Sequence, residues 1–329
     1  MKGMILAAGL GTRLHPLSYE IPKPIVPVLG RPLCTWSMAF LARSGVKSFV
    51  LNVHQHPRMI QQAVLDWAGG RLPAHFTVEP EILGTGGGIG NARNHLRGGT
   101  FVTANGDAIV RFDFARALAF HRRKRSLATL VLFPNIDRRY TPAWIRPSGR
   151  ITGFGADSGD GRLSGFYTGV QILEPELLDL IPHGKPSCII RDVYIPLIAK
   201  GAPIHGFLTK GSFREFGTPG DYLRETIALL GEPDERDPIP PVPHSGVEIV
   251  QPAWLSPKAR IAPGAKIGPC AVIEEDASVE SGAVVSHAVI WPGAVVRRGE
   301  TVHNAILTPH RRVDIPAKPQ TSNEEEKKR

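Results

Sequence analysis

No apolar run in this sequence comes near the roughly 20 uninterrupted residues that a membrane span requires. Residues 1–8 are also too short for the apolar region of a secretory signal, so the chain is expected in the cytoplasm without a membrane partner. Cysteine is scarce. Cys34, Cys188 and Cys270 are odd in number, far apart and form no C-x-x-C pair, which excludes a disulfide framework and leaves them as small buried residues. Twelve histidines are scattered with no zinc-ligand spacing, and no Ser-His-Asp or Cys-His arrangement stands out. Neither G-x-G-x-x-G nor G-x-x-x-x-G-K-[ST] occurs after the first strand, which counts against hydride transfer and Walker-type ATP hydrolysis.

What is present suits a packed globular chain, with 42% apolar and 21% charged residues. A length of 329 residues exceeds one ordinary core and implies a large domain followed by a smaller one. The net charge of +9 raises nucleic acid as a partner, but the only dense basic run is His121-Arg122-Arg123-Lys124-Arg125. That run closes a predicted helix over 112–122, where cations complement the negative end of the macrodipole. No aromatic residues interleave it, so no nucleic acid is expected.

Over the first 135 residues short apolar runs alternate with amphipathic patterns, the mark of βαβ units and a doubly wound parallel sheet. Strands are predicted over 4–7, 48–53, 75–78, 100–104 and 127–133, and helices over 34–43, 59–67, 86–95 and 112–122. Residues 135–165 read as loops with a short hairpin, and 169–230 complete an α/β domain over 1–230. Five prolines in 231–246 (GEPDERDPIPPVPHSG) make a linker.

A hexad repeat follows over 247–308. Ile261, Ile267, Ile273, Val279 and Val285 fall six apart, with Ala265, Ala271, Ala277 and Ala283 between them. Branched residues at that period, with small ones at the corners, predict a short left-handed parallel β-helix whose register slips by one at Ile290. So short a solenoid buries little alone, which implies packing on the first domain or assembly into a homo-oligomer. Residues 309–329, ending in Glu-Glu-Glu-Lys-Lys-Arg, read as a disordered tail.

The chemistry concentrates near the start. LAAGLGTRLHP (6–16) follows the first strand, and Gly9 and Gly11 allow backbone N–H groups to approach phosphate oxygens, with the Arg13 cation beside them. Ten residues on, Lys23 lies between prolines in IPKPIVP, a stiffened loop that suits an anion ligand better than a solvated side chain. Asn105-Gly106-Asp107 ends a predicted strand at the carboxyl edge of the sheet, where open α/β folds bind ligands.

Together, LAAGLGTRLHPLSYEIPKPIVPVLGRP (6–32) resembles the signature of the sugar-1-phosphate nucleotidyltransferases, the NDP-sugar pyrophosphorylase family. The resemblance implies a Rossmann-like domain followed by a hexapeptide-repeat β-helix, with nucleoside triphosphate and sugar 1-phosphate as substrates. It assigns catalysis to Arg13, Lys23 and Asp107. Leu6, Ala7, Ala8, Gly9, Gly11, Thr12 and Arg13 would hold the nucleotide with Glu79, Gly84 and Thr85 of EPEILGTGGGIGNA (79–92). Asn105 and the FYTGV segment, through Thr168 and Gly169, would meet the sugar. Asp107 resembles the metal-binding aspartate of the family, and Glu215 of REFGTP stands where the family has a second aspartate, so that the two would hold Mg²⁺. The Glu-Lys-Pro segment that many relatives use for the sugar phosphate is missing from 150–162, which leaves Arg139 and Arg146 as candidates on charge alone.

Under this resemblance the sugar-phosphate oxygen attacks the α-phosphorus in line with departing pyrophosphate, and no general base is needed because the nucleophile is already an anion. The hexad tail resembles that of mannose-1-phosphate guanylyltransferases, while GTGGG and the missing triplet resemble N-acetylmuramate-1-phosphate uridylyltransferases. Mannose 1-phosphate with GTP, N-acetylmuramate 1-phosphate with UTP, and glucose 1-phosphate with UTP or dTTP therefore stay open, all serving cell-surface polysaccharide or cell-wall precursors. The rival from another class is a non-catalytic regulatory subunit of the same fold, which would lose the loop arginine and lysine present here. A tail with acyltransferase activity is a further rival, with His287 and His303 its only candidate histidines, and a structural role is favoured.

Overall fold

The computed structural model describes residues 1–134, 140–156, 159–160, 163–232 and 245–316. They form two compact units, Met1–Gly217 and Thr218–Arg329.

The first unit is a mixed α/β domain. Strand β1 (Lys2–Leu6) leads through a glycine loop to the hairpin β2 (Pro27–Val28) and β3 (Arg31–Pro32), then to helix α1 (Leu33–Arg43) and β4 (Ser48–Val53). Helix α2 (Pro57–Ala68), β5 (Ala74–Val78), α3 (Gly84–Asn91), α4 (Arg93–Leu96) and β6 (Phe101–Asn105) complete the parallel part. Those strands lie in the order β5, β4, β1, β6, and β1 pairs in parallel with both β4 and β6. The chain thus winds one way from β1 and then the other, which puts a switch point at the carboxyl ends of β1 and β6. Met4 and Ile5 point to opposite faces and are both fully buried, as a strand covered on both sides requires. Each of the five predicted strands falls within two residues of the observed one.

Beyond β6 the chain forms β7 (Ala108–Arg111), α5 (Phe114–Lys124) and β8 (Ala128–Phe133). The expected hairpin follows as β9 (Pro142–Ile145) and β10 (Ile151–Phe154), then β11 (Leu163–Leu173), α6 (Ile195–Ala199), β12 (Ile204–Leu208) and β13 (Ser212–Glu215). Long β11 joins the halves by running antiparallel to both β6 and β8. Asp113 caps α5 by accepting from the Arg116 N–H, and Arg122, Arg123 and Arg125 at the far end face solvent. His121 departs from the solvated reading of that basic run: it is 1% exposed and bonded to Thr129 and Glu174, so burial lowers its pKa.

In the second unit α7 (Pro219–Ala228) opens on a capping box between Thr218 and Asp221. Short strands follow: β14 (Glu248–Ile249), β15 (Ala253–Leu255), β16 (Arg260–Ile261), β17 (Lys266–Ile267), β18 (Ala271–Ile273) and β19 (Ser278–Val279). Then come β20 (Val284–Ile290), β21 (Val295–Val296), β22 (Thr301–Leu307) and β23 (Arg312–Asp314). Each coil stacks in parallel on the one before, as in a β-helix: Ala253 pairs with Ala271, Ala271 with Ala288, and Ala288 with Ala305. The hexad positions Ile267, Ile273, Val279, Val285, Ile290, Val296 and Val302 and the intervening alanines form its core.

The slip at Ile290 has a physical cause. Gly268, Pro269 and Cys270 separate Ile267 from Ala271, whereas only Ser286 and His287 separate Val285 from Ala288, so one corner residue is lost. Two sequence boundaries move. Helix α7 packs on the coils, with Tyr222 fully buried and its hydroxyl accepting from Trp291 Nε1 at 2.9 Å, so the first unit ends at Gly217 and not at Leu230. The tail from 309 is structured at its start, because β23 pairs antiparallel with β22. Most of the proline segment, 233–244, and residues 317–329 lie outside the described residues. Of the cysteines, Cys34 is buried, with its thiol pushed up to about 12 by burial, and Cys188 and Cys270 are half-buried.

Candidate active site

The switch point is a cavity of about 210 Å³. Parallel register builds its floor, because Leu6 is level with Asn52 on one side and with Asn105 on the other. Three strands therefore end together, and the segments that follow them converge. The cavity brings together Leu6, Ala7, Ala8, Gly9 and Gly11 at and after the end of β1, Lys23 further along the same connection, Asn105 at the end of β6 and Asp107 just beyond it. Glu79, Gly84 and Thr85 close the remaining side. Thr12, Arg13, Thr168, Gly169 and Glu215 lie outside its lining.

The glycine loop is shaped by sterics. Gly11 takes φ +65°, and a Cβ there would stand 2.8 Å from the Lys23 Cβ, so only glycine lets the loop lie on the lysine stem. Lys23 is 7% exposed and its ammonium donates to Asp107 Oδ2 at 2.7 Å. Asp107 is 37% exposed, which leaves it open to a ligand. In the middle of the tight turn Thr12–Leu14, Arg13 projects outward and pairs with Glu215 Oε1 at 3.1 Å, while the Tyr140 hydroxyl donates to Glu215 Oε2 at 3.2 Å. Antiparallel pairing of β7 with β13 puts Glu215 opposite Ala108, and the Phe216 N–H donates to the Asp107 carbonyl, so the two carboxylates sit at adjacent positions of one ribbon.

Other expected contacts have different partners. Thr168 is buried and its hydroxyl donates to the Val131 carbonyl. Gly169, at φ +82° in the irregular stretch of β11, clears space for Asn105, whose Nδ2 would lie 2.5 Å from an added Cβ. The GTGGG glycines allow close packing: Gly86 and Gly87 both donate to the Ser187 carbonyl, and a Cβ on Gly84 would stand 2.8 Å from that same oxygen. The Thr85 hydroxyl accepts from the Ile189 N–H. Arg146 pairs with Asp160, and Arg139 lies outside the described residues. His15 stacks on Tyr19 and bonds Ser18, whereas His54 bonds the Glu79 carbonyl. Sequence reasoning missed Asn52, Pro24, Ile82 and Gly106 in the lining. The signal for Asn52 was its place at the end of a predicted strand beside the first.

Residues 2–154 match the model of the family described as nucleotidyl transferase. A mannose-1-phosphate guanyltransferase of Yarrowia lipolytica is 31% identical over 250 residues, which cover 74% of this chain and 68% of that protein. The chain belongs to the nucleotidyl transferase family. A mannose-1-phosphate guanylyltransferase of Mycobacterium tuberculosis is 31% identical over 229 residues, covering 69% of this chain, and the chain spans 64% of that relative's length. A UTP–glucose-1-phosphate uridylyltransferase of Synechocystis is 27% identical over 76% of the chain and 67% of that protein. Among solved structures, HddC from Yersinia pseudotuberculosis complexed with GMP-PN superposes at a TM-score of 0.59 with 27% identity, over 69% of this chain and 99% of that one.

Nucleotidyltransferases of this family generally use a divalent metal. Among the described residues no group of three or more His, Cys, Asp or Glu side chains is placed to hold a metal ion. Asp107 and Glu215 instead fit an ion that takes one or two carboxylates and completes its shell with phosphate oxygens and water. No helix among the described residues is long and apolar enough to cross a membrane.

Proposed function

We propose that the chain joins a nucleoside triphosphate to a sugar 1-phosphate, forming an NDP-sugar and pyrophosphate. The observation that carries this reading is the Lys23–Asp107 pair, a buried cation bound to a carboxylate within a strand-end cavity, beside the Arg13–Glu215 pair. Both pairs set a cation for phosphate next to a carboxylate for metal. A Mg²⁺ ion held by Asp107 and Glu215 would neutralise phosphate charge. Lys23 then holds the α-phosphate or the incoming sugar phosphate, and Arg13 the departing β- and γ-phosphates. A bond forms from the sugar-phosphate oxygen to the α-phosphorus as the bond to the β-phosphate bridging oxygen breaks, and the electron pair leaves with pyrophosphate. No proton must be removed, and catalysis is positioning with charge stabilisation.

A regulatory role is disfavoured because Arg13, Lys23 and Asp107 are all present. GTP with mannose 1-phosphate is the first pair to assay, in view of the relatives named for it and the GMP-PN complex of HddC. UTP with glucose 1-phosphate is the second, from the Synechocystis relative. We place the protein in the cytoplasm, supplying precursors of surface polysaccharide, and assign residues 247–308 to homo-oligomer assembly. The test is pyrophosphate release with Mg²⁺, each common nucleoside triphosphate and a panel of sugar 1-phosphates. No release with any pair would overturn the proposal.

A further inference from the structure

The walls of the cavity are joined by one amide. Asn52 ends its strand at the level of Leu6, is 2% exposed, and has a different partner at each end. Its Oδ1 accepts from the Ala7 N–H at 3.0 Å, and its Nδ2 donates to Glu79 Oε1 at 2.7 Å. Glu79, 1% exposed, accepts from the Leu83 N–H at 2.9 Å through its other oxygen. Chemistry dictates this polarity, because a backbone N–H needs an acceptor and a carboxylate needs a donor. Helix α3 seals the pair from above: a Cβ on Gly88 would lie 2.7 Å from Asn52 Nδ2 and 2.9 Å from Glu79 Oε1.

We propose that Asn52 and Glu79 are positioning residues, a clamp that fixes the glycine loop against the Leu83–Thr85 side of the cavity. The buried charge of Glu79 serves this connection and does not itself read the nucleotide base. This inference rests on the nucleotidyltransferase reading for its effect on turnover.

Connectivity and charge can be separated by exchanging the two groups. In the full-length chain, Asn52→Asp sets two carboxylates face to face, and Glu79→Gln sets a donor against a donor at one end or the other. Each single change is expected to raise the KM for nucleotide and lower kcat/KM roughly ten- to a hundred-fold, with kcat less affected. The double variant, Asn52→Asp with Glu79→Gln, restores all three bonds: Ala7 N–H to the new carboxylate, the new amide to that carboxylate, and Leu83 N–H to the new amide oxygen. Its KM should return toward that of the wild type, with the same order of preference among nucleoside triphosphates. Hydrogen exchange at the Ala7 and Leu83 amides should speed up in each single variant and slow again in the double. A double variant as impaired as the singles, or one with an altered nucleotide preference, would show that the Glu79 charge acts on the base and would overturn the proposal. The exchange measurement is made without ligands, so it decides on the clamp even where a failed turnover assay removes the enzymatic reading.

Discussion

The Lys23–Asp107 pair is asymmetric in burial, and the two single substitutions should therefore differ in stability while agreeing in activity. Removing one partner of a buried pair leaves the other uncompensated at a cost of about 3–5 kcal/mol. Asp107→Ala strands an ammonium that is 7% exposed. The adjoining cavity can admit water to it, which brings the expected cost down to about 2 kcal/mol. Lys23→Met keeps the length of the side chain and strands only a carboxylate that is 37% exposed, for which solvent compensates at well under about 1 kcal/mol. In a domain of this size those figures correspond to a fall in Tm of roughly 4–8 °C for Asp107→Ala and less than about 3 °C for Lys23→Met. Each variant should lose roughly 10²–10³-fold in kcat by removing charge stabilisation. The assay is calorimetry beside pyrophosphate release. Combining the two substitutions should recover most of the lost stability and none of the activity, because no unpaired charge remains. Equal melting temperatures for the two single variants would refute the reasoning, since they would mean that Lys23 is solvated in the free protein.

Further outcomes can be checked in the same way. EDTA should abolish pyrophosphate release and added Mg²⁺ should restore it; release that persists in a chelator would remove Asp107 and Glu215 from metal binding. Arg13→Ala should reduce turnover, with Arg13→Lys a poor substitute because a point charge cannot copy a planar fork on phosphate oxygens; full activity in the lysine variant would contradict this. Gly169→Ala forces a side chain into φ +82° and against Asn105, which should lower stability by at least about 1 kcal/mol and depress kcat/KM, as melting and steady-state kinetics would show. His205 is held neutral, its pKa lowered from 6.5 to about 4 chiefly by burial, with Arg150 and Lys124 adding to the shift. The unfolded chain takes up that proton first, so stability present above pH 6.5 should fall as pH drops toward 4. In acid denaturation curves, His205→Gln should flatten part of this limb. A chain ending at Gly217 should retain nucleotidyl transfer, whereas one ending at Pro240 keeps α7 without Trp291, exposes Tyr222 and should aggregate in sizing experiments.

Sequence patterning located elements whose partners are near in the chain and lost those whose partners are remote. The β1 loop and Lys23 stood out because a strand end, a glycine turn and a proline-stiffened lysine follow one another within a short stretch, and Asp107 because it follows the end of a separate predicted strand. Helix α7 was assigned to the wrong unit because its burial depends on Trp291, a residue 69 positions later that no local period reveals. The resemblance set Thr168 against the sugar, whereas in the structure it is buried within β11 and its hydroxyl donates to the Val131 carbonyl, a contact that no local pattern reveals. The resemblance gave the glycines of α3 to the nucleotide, but Gly84 and Gly86 lie against Ser187, about a hundred residues away, and Gly88 against Asn52 and Glu79, neighbours that only the fold brings close. Asn52 carries no motif at all, and its role arises from the polarity of two neighbours on other segments.

The lost corner residue of the second unit has a consequence for how that unit could be lengthened. After the corner at Ser286 and His287, each coil repeats at seventeen residues, as in the step from Ala288 to Ala305. Cys270, His287 and Asn304, each just before one of the stacked alanines, all adopt positive φ, so the backbone bend at that corner is copied from coil to coil. The last coil is thus a template with a defined word length. Duplicating residues 288–304 in tandem should add one rung and leave every inward-facing position in phase. An eighteen-residue insert, the length of the step from Ala253 to Ala271, should keep that phase only where its extra residue falls at the corner, as Gly268, Pro269 and Cys270 do; an extra residue within a strand would turn each later valine and alanine away from the core.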